Sequence, residues 1–189
     1  MAEESDDLLI QRTLHGDVDA FGVIVERYRS RVFNLAYRML GDRDRADEAA
    51  QEVFVRAYTG LGSYRPSGSF SSWLLSIAAN LCIDLLRQEP FAAVPIDNPE
   101  AVAKAVAGAA SDPHAAYGRT ETQQLTHNAL GRLPDMQRLV IVLVHIHGMS
   151  YQQAAEVLGQ PVGTVKSHAH RGRARLKRLL APHMEENGL

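Results

Sequence analysis

The stretch that decides the fold of this chain is residues 148–178, GMSYQQAAEVLGQPVGTVKSHAHRGRARLKR. Ser150 is a good N-cap, small apolar residues give the helix behind it one apolar face, and Gly159 supplies a tight turn. Pro161 then opens a second helix. A short helix, a glycine turn and a second helix are typical of a helix-turn-helix, whose second helix enters the major groove of DNA.

The second predicted helix carries concentrated positive charge, with no acid between Glu156 and Glu185. Such a segment attracts the phosphate backbone, and the early positions of the helix face base edges. Lys166 and Arg171 are candidates for guanine or phosphate contacts, while the later arginines can equally form a solvated helix face. Candidates for shorter contacts in the groove are Thr164, Ser167, His168 and His170.

Charge in this chain is segregated along the sequence. The 189 residues have a formal net charge of −2 and 46% hydrophobic content, and the acids cluster near the N-terminus and within residues 42–52. No apolar run approaches the ~20 residues that cross a bilayer, and the N-terminus is acidic where a signal peptide is basic. These features predict a cytoplasmic protein.

The chain offers little that predicts chemistry. Cys82 is the only cysteine and lies in an apolar helical stretch, so a buried packing role is expected. The pairs His145/His147 and His168/His170 have i, i+2 spacing, whereas the helical zinc motif needs i, i+4. The sequence therefore predicts no metal site, no cofactor and no enzymatic activity; a metal-dependent hydrolase using the acids of residues 42–52 is a distant alternative.

Helical periodicity dominates the first half, and no convincing period-2 strand is present anywhere. Apolar residues recur at three- and four-residue steps, and Gly41, Gly60 and Pro90 end successive helices. The predicted helices of this half are about residues 21–40, 44–60 and 71–88, with a polar loop at residues 63–70.

Residues 90–113 change character, because prolines enclose an alanine-rich stretch that lacks a large apolar face. They predict a flexible linker. The fold class is therefore all-α, with two small helical domains: an N-terminal bundle over residues 1–89 and a helix-turn-helix domain over residues 114–189. The predicted helices of the second domain are residues 114–132, 135–146, 150–158 and 161–180.

Short motifs in both halves, in this order and spacing, resemble the bacterial RNA polymerase sigma factors of the extracytoplasmic function (ECF) group of the sigma-70 family. The resemblance covers nearly all of the chain except the linker. The motifs are GD at 16–17, AF at 20–21, RY at 27–28, YRMLGD at 37–42, AQEVF at 50–54, FSSWL at 70–74 with Asn80 and Asp84, LP at 133–134, GMSY at 148–151 and PVGTVKS at 161–167.

The resemblance implies a transcription initiation factor that performs no chemistry itself. Its region 2-like first domain binds core RNA polymerase and the minus-10 promoter element and assists melting, and its region 4-like second domain binds the minus-35 element of promoter DNA. An anti-sigma factor, often membrane-anchored, is a further implied partner. The implied minus-35 contacts are Pro161, Thr164, Lys166, Ser167, His168, His170 and Arg171.

The implied minus-10 residues suit the physics of promoter melting. An extruded base costs a few kcal/mol of stacking, which an aromatic pocket with polar edge contacts recovers. The alternative is that Phe70 and Trp73 simply pack between helices. The candidate minus-10 residues are Tyr64, Arg65, Phe70, Trp73 and Asn80.

The resemblance places the polymerase-docking face on the acidic second helix, where four residues at i, i+3, i+4 and i+7 share one side. The alternative is a solvated face steadied by a pair between Glu52 and Arg56. The candidate docking residues are Glu48, Gln51, Glu52 and Val55.

A conventional duplex-binding repressor or activator with a sensing or dimerising first domain is the alternative function.

The initiation role also has a geometric requirement. A spacer of ~16 base pairs covers roughly 55 Å, and the linker of residues 90–113 reaches at most about 80 Å. The domains can span a promoter only when held apart; held together, they would hide their DNA surfaces.

Overall fold

The computed structural model describes residues 4–65, 69–88 and 121–186. The described residues form eight α-helices and no strand, which confirms the predicted all-α class. The predicted linker, the first helical residues after it and the loop residues 66–68 lie outside this part of the chain. The helices are α1 (Asp6–Leu14), α2 (Val18–Leu40), α3 (Arg43–Gly60), α4 (Phe70–Gln88), α5 (Glu121–Gly131), α6 (Asp135–Ile141), α7 (Tyr151–Leu158) and α8 (Val162–Glu186).

Local caps set the ends of these helices, and α2 begins at Val18, three residues before the predicted start. The side chain of Asp17 accepts a hydrogen bond from the Ala20 amide at the start of α2, and Gly41 ends that helix with a φ of 79°. At α7, Ser150 and Gln153 form a reciprocal capping box, and Gly159 takes a φ of 60° in the turn to α8. The helix-turn-helix predicted from residues 148–178 is confirmed.

Helix α1 was not predicted from the sequence. It begins at an N-cap, Ser5, and buries Leu9, Ile10 and Thr13 against the bundle. With so few apolar contacts over so short a length, α1 depends on tertiary packing, since isolated short helices are marginal in water. Helices α1, α2, α3 and α4 pack on one another, with α2 and α3 in closest association.

Helix α4 has the length and mean hydropathy, 1.2, of a membrane-spanning helix. Within the fold it acts as a core helix, because Leu74, Leu75 and Cys82 are almost fully buried in the apolar cluster. The prediction that Cys82 is a buried packing residue is confirmed.

The two halves of the molecule pack together through α4 and α7, and one apolar cluster runs through both. Arg138 of α6 also joins the two halves through a hydrogen bond. Its guanidinium donates to the Met39 carbonyl near the end of α2, and also to the Gly131 carbonyl (2.8 Å) and the Leu133 carbonyl (3.1 Å). A cation at a helix C-terminus is favourable, and these bonds compensate for burial of the charged group.

Helix α8 is held against α6 by a close approach at a glycine. A Cβ built on Gly172 would lie 2.9 Å from the Ile141 Cγ1 and 3.4 Å from the Gln137 carbonyl oxygen. Beyond Ile141 the α6 helix continues as a π-helical segment, Val142–Ile146, which faces α2 and α7. The packing at Gly172 fixes which side of α8 points to solvent.

Candidate nucleic-acid interface

Four aromatic side chains form a cluster at the start of α4. The Tyr64 ring lies 5.6 Å from the Phe70 ring and 5.1 Å from the Trp73 ring, and Phe70 and Trp73 are 5.4 Å apart. The Tyr28 ring of α2 packs edge-on against Phe70 at 5.6 Å. The structure therefore brings together three of the predicted minus-10 residues and adds Tyr28, which belongs to the RY motif at 27–28 but was not among the predicted site residues.

The members of this aromatic cluster differ in exposure. Phe70 is 3% exposed and forms the floor of the cluster, while Tyr64 and Trp73 are half-buried. Burial raises the pKa of Tyr64, and the nearby charges of Asp7 and Asp6 add to the rise. The packing role foreseen as the alternative for Phe70 is present, and the half-buried rings leave an apolar surface at the edge of the cluster.

Two polar residues predicted for the same site lie beside it. Arg65 is exposed directly after Tyr64, and Asn80 is exposed on α4. Asn80 stands seven residues after Trp73, which places it on the same side of the helix, roughly 10.5 Å further along the axis. An aromatic surface with a cation and an amide along one side can stack a base and reach its polar edge.

The outward face of α8 is defined by its buried side. Val165 and Ala169 are fully buried and Gly172 packs on α6, so residues about half a turn away point to solvent. Ser167 and His170 occupy that outward face and are exposed, and Arg171 is exposed at its edge. These side chains lie where a major groove would be contacted.

Lys166 and Arg171 are both exposed, yet they do not point the same way. Five residues at 100° each separate them by about 140° around the helix. They therefore flank the outward face of α8 on opposite sides, a geometry suited to separate contacts rather than to one shared base.

The remaining predicted minus-35 residues occupy other positions. Pro161 is exposed before the first turn of α8, and Thr164 is half-buried on its flank. His168 is half-buried near the packed side, and its Nδ1 is buried without a hydrogen-bond partner. Burial, assisted by the charge of Arg171, lowers the pKa of His168. The structure thus separates His168 from the exposed contact set.

The predicted docking face on α3 is solvent-exposed along its length. Glu48, Gln51 and Glu52 are exposed, and Val55 is 58% exposed. Glu52 pairs with Arg56 at 2.7 Å, the ion pair that the alternative interpretation expected. Exposed i, i+4 pairs contribute only ~0.3–0.5 kcal/mol, so this one does not account for an exposed apolar valine at the end of an acidic face.

The junction of the two halves also contains polar contacts. Arg31 donates to the His147 carbonyl at 3.1 Å, and the Tyr37 and His127 rings stack at 4.7 Å. Burial, together with the charges of Arg31 and Arg38, lowers the pKa of His147 to about 4.

Packing the halves together does not bury the contact residues of α8, because Lys166, Ser167 and Arg171 are exposed in this arrangement. The expectation that packed domains hide both DNA surfaces is therefore wrong for this helix. In this arrangement the two candidate DNA surfaces sit on one packed body.

Comparison with known proteins places these features in one family. Residues 24–90 match Sigma-70 region 2, and residues 123–176 match Sigma-70 region 4. The ECF RNA polymerase sigma factor SigW of Bacillus subtilis is 36% identical over 176 residues, covering 90% of this chain and 94% of that protein.

The chain belongs to the ECF group of RNA polymerase sigma factors. Two solved structures resemble it. CnrH, solved in complex with the cytosolic domain of CnrY, has a TM-score of 0.67 and 29% identity, covering 95% of this chain and 99% of CnrH. The sigma factor RpoE of Bartonella quintana, in complex with the anti-sigma factor NepR, has a TM-score of 0.65 and 25% identity over 85% and 96% of the two chains.

This ECF sigma factor is a transcription initiation factor, and its two family matches coincide with the two halves of the fold. The region 2 match covers most of α2 and all of α3 and α4; the region 4 match covers most of α5, all of α6 and α7, and the first part of α8. Helix α1, which packs beside the aromatic cluster, lies outside both matched ranges.

Proposed function

We propose that this sigma factor divides promoter recognition between the aromatic cluster at the start of α4 and the outward face of α8, while α3 binds core RNA polymerase. Residues 1–89 form the polymerase and minus-10 domain, residues 90–113 the linker, and residues 114–189 the minus-35 domain. The observation that carries the proposal is the presence, on one chain, of a surface suited to an unstacked base and a surface suited to duplex DNA.

In the minus-10 domain, Tyr64 and Trp73 stack on an extruded base while Phe70 supports them from below. Stacking a base on an aromatic side chain contributes about 1–3 kcal/mol, which offsets the cost of unstacking it. Arg65 contacts phosphate, and Asn80 reads a polar base edge. Support comes from the half-buried rings and the two exposed polar groups beside them.

In the minus-35 domain, the outward face of α8 enters the major groove. Ser167 and His170 lie closest to the base edges, and Lys166 and Arg171 contact DNA on either side. Pro161 and Thr164 approach the backbone at the start of the helix, and His168 supports the helix from its packed side. The supporting observation is the exposure of the outward residues together with burial of Val165 and Ala169.

In the docking role, α3 presents an acidic face with an apolar residue at one end to a basic surface of core polymerase. The partner side chains pair with Glu48 and Glu52, Gln51 hydrogen-bonds beside them, and Val55 is covered by apolar contact. A contact of this kind gains specificity from charge complementarity and affinity from the buried apolar residue.

The decisive experiment is charge reversal on α3. The double variant Gln51→Arg, Glu52→Lys should remain folded, because both side chains are exposed, yet lose binding to core polymerase through like-charge repulsion. A matched control, Gln11→Arg with Asp19→Lys, makes the same charge change at exposed positions of α1 and α2 and should retain binding.

Co-elution with core polymerase and promoter-specific transcription are the two measurements. A folded α3 variant that binds core as the wild type does would exclude the docking face. Promoter-specific duplex binding by the chain alone, with no activity when core is added, would instead favour the repressor or activator alternative.

We also propose that an anti-sigma protein regulates this chain. We further propose that this chain works in the cytoplasm, where polymerase and promoter DNA are found. The solved complexes of RpoE with NepR and of CnrH with part of CnrY support a protein partner. We assign the chain no catalytic step, metal or cofactor.

A further inference from the structure

The Asp6 carboxylate of α1 hydrogen-bonds to Tyr28, the ring that packs against Phe70 of the aromatic cluster. Asp6 uses both oxygens: Oδ1 pairs with the Arg27 guanidinium, and Oδ2 accepts the hydroxyl hydrogen of Tyr28. The Asp6 and Arg27 side chains are each 26% exposed, so the ion pair is largely shielded from solvent. Arg27 also donates to the Glu4 carbonyl, which holds the start of α1 against α2.

From Tyr28 the contacts continue into the cluster. The Tyr28 ring packs on Phe70 at 65°, and Phe70 packs on both Tyr64 and Trp73. Burial and the hydrogen bond to Asp6 raise the pKa of Tyr28 above its usual range, which strengthens the preference of its hydroxyl for the protonated, donating form. Helix α1 also contacts the short 3₁₀ turn Leu61–Ser63 that leads into Tyr64.

We propose that Asp6 and Tyr28 are positioning residues for the minus-10 pocket, acting through Phe70 on the rings of Tyr64 and Trp73. The inference rests on the function proposed above. The Asp6 to Tyr28 hydrogen bond fixes the orientation of the Tyr28 ring, and that ring is one wall of the site in which Phe70 sits. A pocket whose rings are already in place binds its base without first ordering them.

The same carboxylate could act in a second way, by repelling the DNA backbone. Asp7 is exposed on the same turn of α1 and carries the same charge, and the charges of Asp6 and Asp7 both reach the Tyr64 hydroxyl. Repulsion predicts that removal of either charge tightens binding of single-stranded DNA. Positioning predicts that only removal of Asp6 matters, and that it weakens binding.

The experiment uses the full chain assembled with core polymerase, at a temperature where every variant is folded by circular dichroism. The probes are a single-stranded non-template oligonucleotide and a minus-35 duplex, both from a promoter identified by run-off transcription with the wild-type holoenzyme. The variants are Asp6→Ala, Tyr28→Phe, the two combined, the conservative Asp6→Asn and the matched control Asp7→Ala.

Asp6→Ala and Tyr28→Phe should each weaken single-strand binding about three- to ten-fold, as loss of one net hydrogen bond implies. The combined variant should bind no more weakly than Asp6→Ala, because Asp6→Ala already breaks the bond that Tyr28→Phe removes. Asp6→Asn keeps an acceptor oxygen and should lie closer to wild type. Duplex binding by every variant, and single-strand binding by Asp7→Ala, should stay within about two-fold of wild type.

Equal single-strand affinities for wild type, Asp6→Ala and Tyr28→Phe would overturn the inference while leaving the proposed function intact. Tighter binding by both Asp6→Ala and Asp7→Ala would replace positioning with charge repulsion. If the wild-type holoenzyme fails to bind the single strand, the proposed minus-10 function fails and the inference falls with it.

Discussion

The aromatic cluster at the start of α4 and the outward face of α8 are both candidate DNA surfaces. They differ in whether the candidate contact residues also pack within the fold. In the cluster, the candidate contact residues also pack on one another, and Phe70 is 3% exposed. On α8, the exposed contact residues are carried by a separate set of packed residues on the other side of the helix.

The difference follows from what each surface has to bind. Duplex DNA offers its groove edges and phosphates ready-made, so exposed polar groups on a rigid helix are sufficient. An unstacked base offers an apolar face, and the aromatic rings that receive it would be costly to leave exposed in the free protein. Substitutions should therefore affect both folding and DNA binding in the cluster but DNA binding alone on α8.

The largest effect is expected from Phe70→Ala. Removing a buried phenylalanine costs about 3–5 kcal/mol of unfolding free energy, and promoter melting should fall with it because the Tyr64 and Trp73 rings lose their support. Urea unfolding and permanganate footprinting of the promoter bubble measure the two effects. Phe70→Leu, which keeps most of the apolar volume, is the control. Normal stability in Phe70→Ala would contradict the conclusion that residues of the cluster support folding as well as DNA binding.

Substitutions on α8 should give the opposite pattern. Lys166→Ala and Arg171→Ala should each weaken minus-35-dependent initiation by about 1–3 kcal/mol, as loss of a base or phosphate contact does. Unfolding free energy should change by less than about 0.5 kcal/mol, since both side chains are exposed.

The two flanking positions should also act independently, because they lie on opposite edges of the outward face and share no contact. The double variant should therefore lose about the sum of the single losses, measured by run-off transcription over a series of holoenzyme concentrations. Lys177→Ala, an exposed cation further along α8, is the matched control. Wild-type initiation by both single variants would remove α8 as the reader of the minus-35 element.

The smallest effect concerns His147, at the junction that holds both surfaces on one body. Its pKa is lowered from 6.5 to about 4 by burial and by Arg31 and Arg38. Because the folded pKa lies below the unfolded value, its contribution is fully present above about pH 6.5 and is lost as the pH falls toward 4. Between pH 7.5 and 5.5 the loss is at most about 1.4 kcal/mol.

Urea unfolding at those two pH values, on wild type and on His147→Leu, isolates this contribution. The leucine variant lacks the titrating group and should lose correspondingly less stability on acidification. An identical pH dependence in the two proteins would show that the junction histidine does not couple proton binding to folding.

Much of the fold could be read from local signals. Asp17 and Gly41 bound α2, Ser150 and Gly159 bound α7, and these residues act through their own backbone conformations and side-chain hydrogen bonds. The helix-turn-helix was predictable for the same reason. The candidate residues Tyr64 and Trp73 came from the family resemblance, and their aromatic rings suit stacking on a base.

Other features depend on contacts between distant segments. Helix α1 is held by Asp6 on Arg27 and Tyr28, which lie 21 and 22 residues away in the next helix, and no local signal records that pairing. Arg138 would be expected on the surface by residue type, and it is buried only because the α2 carbonyl end lies opposite. The partial burial of His168 likewise depends on which side of α8 packs against the rest of the fold.

The amino-acid sequence by itself determined the helical class, several helix ends, the two-part organisation and the polymerase-factor family, because caps, periodicity and short motifs are properties of neighbouring residues. Only the tertiary structure decided which rings meet at the start of α4, which side of α8 faces outward and how the halves join. Those outcomes are set by the mutual burial of side chains far apart in the chain, and burial is a property of the assembled core rather than of any one segment.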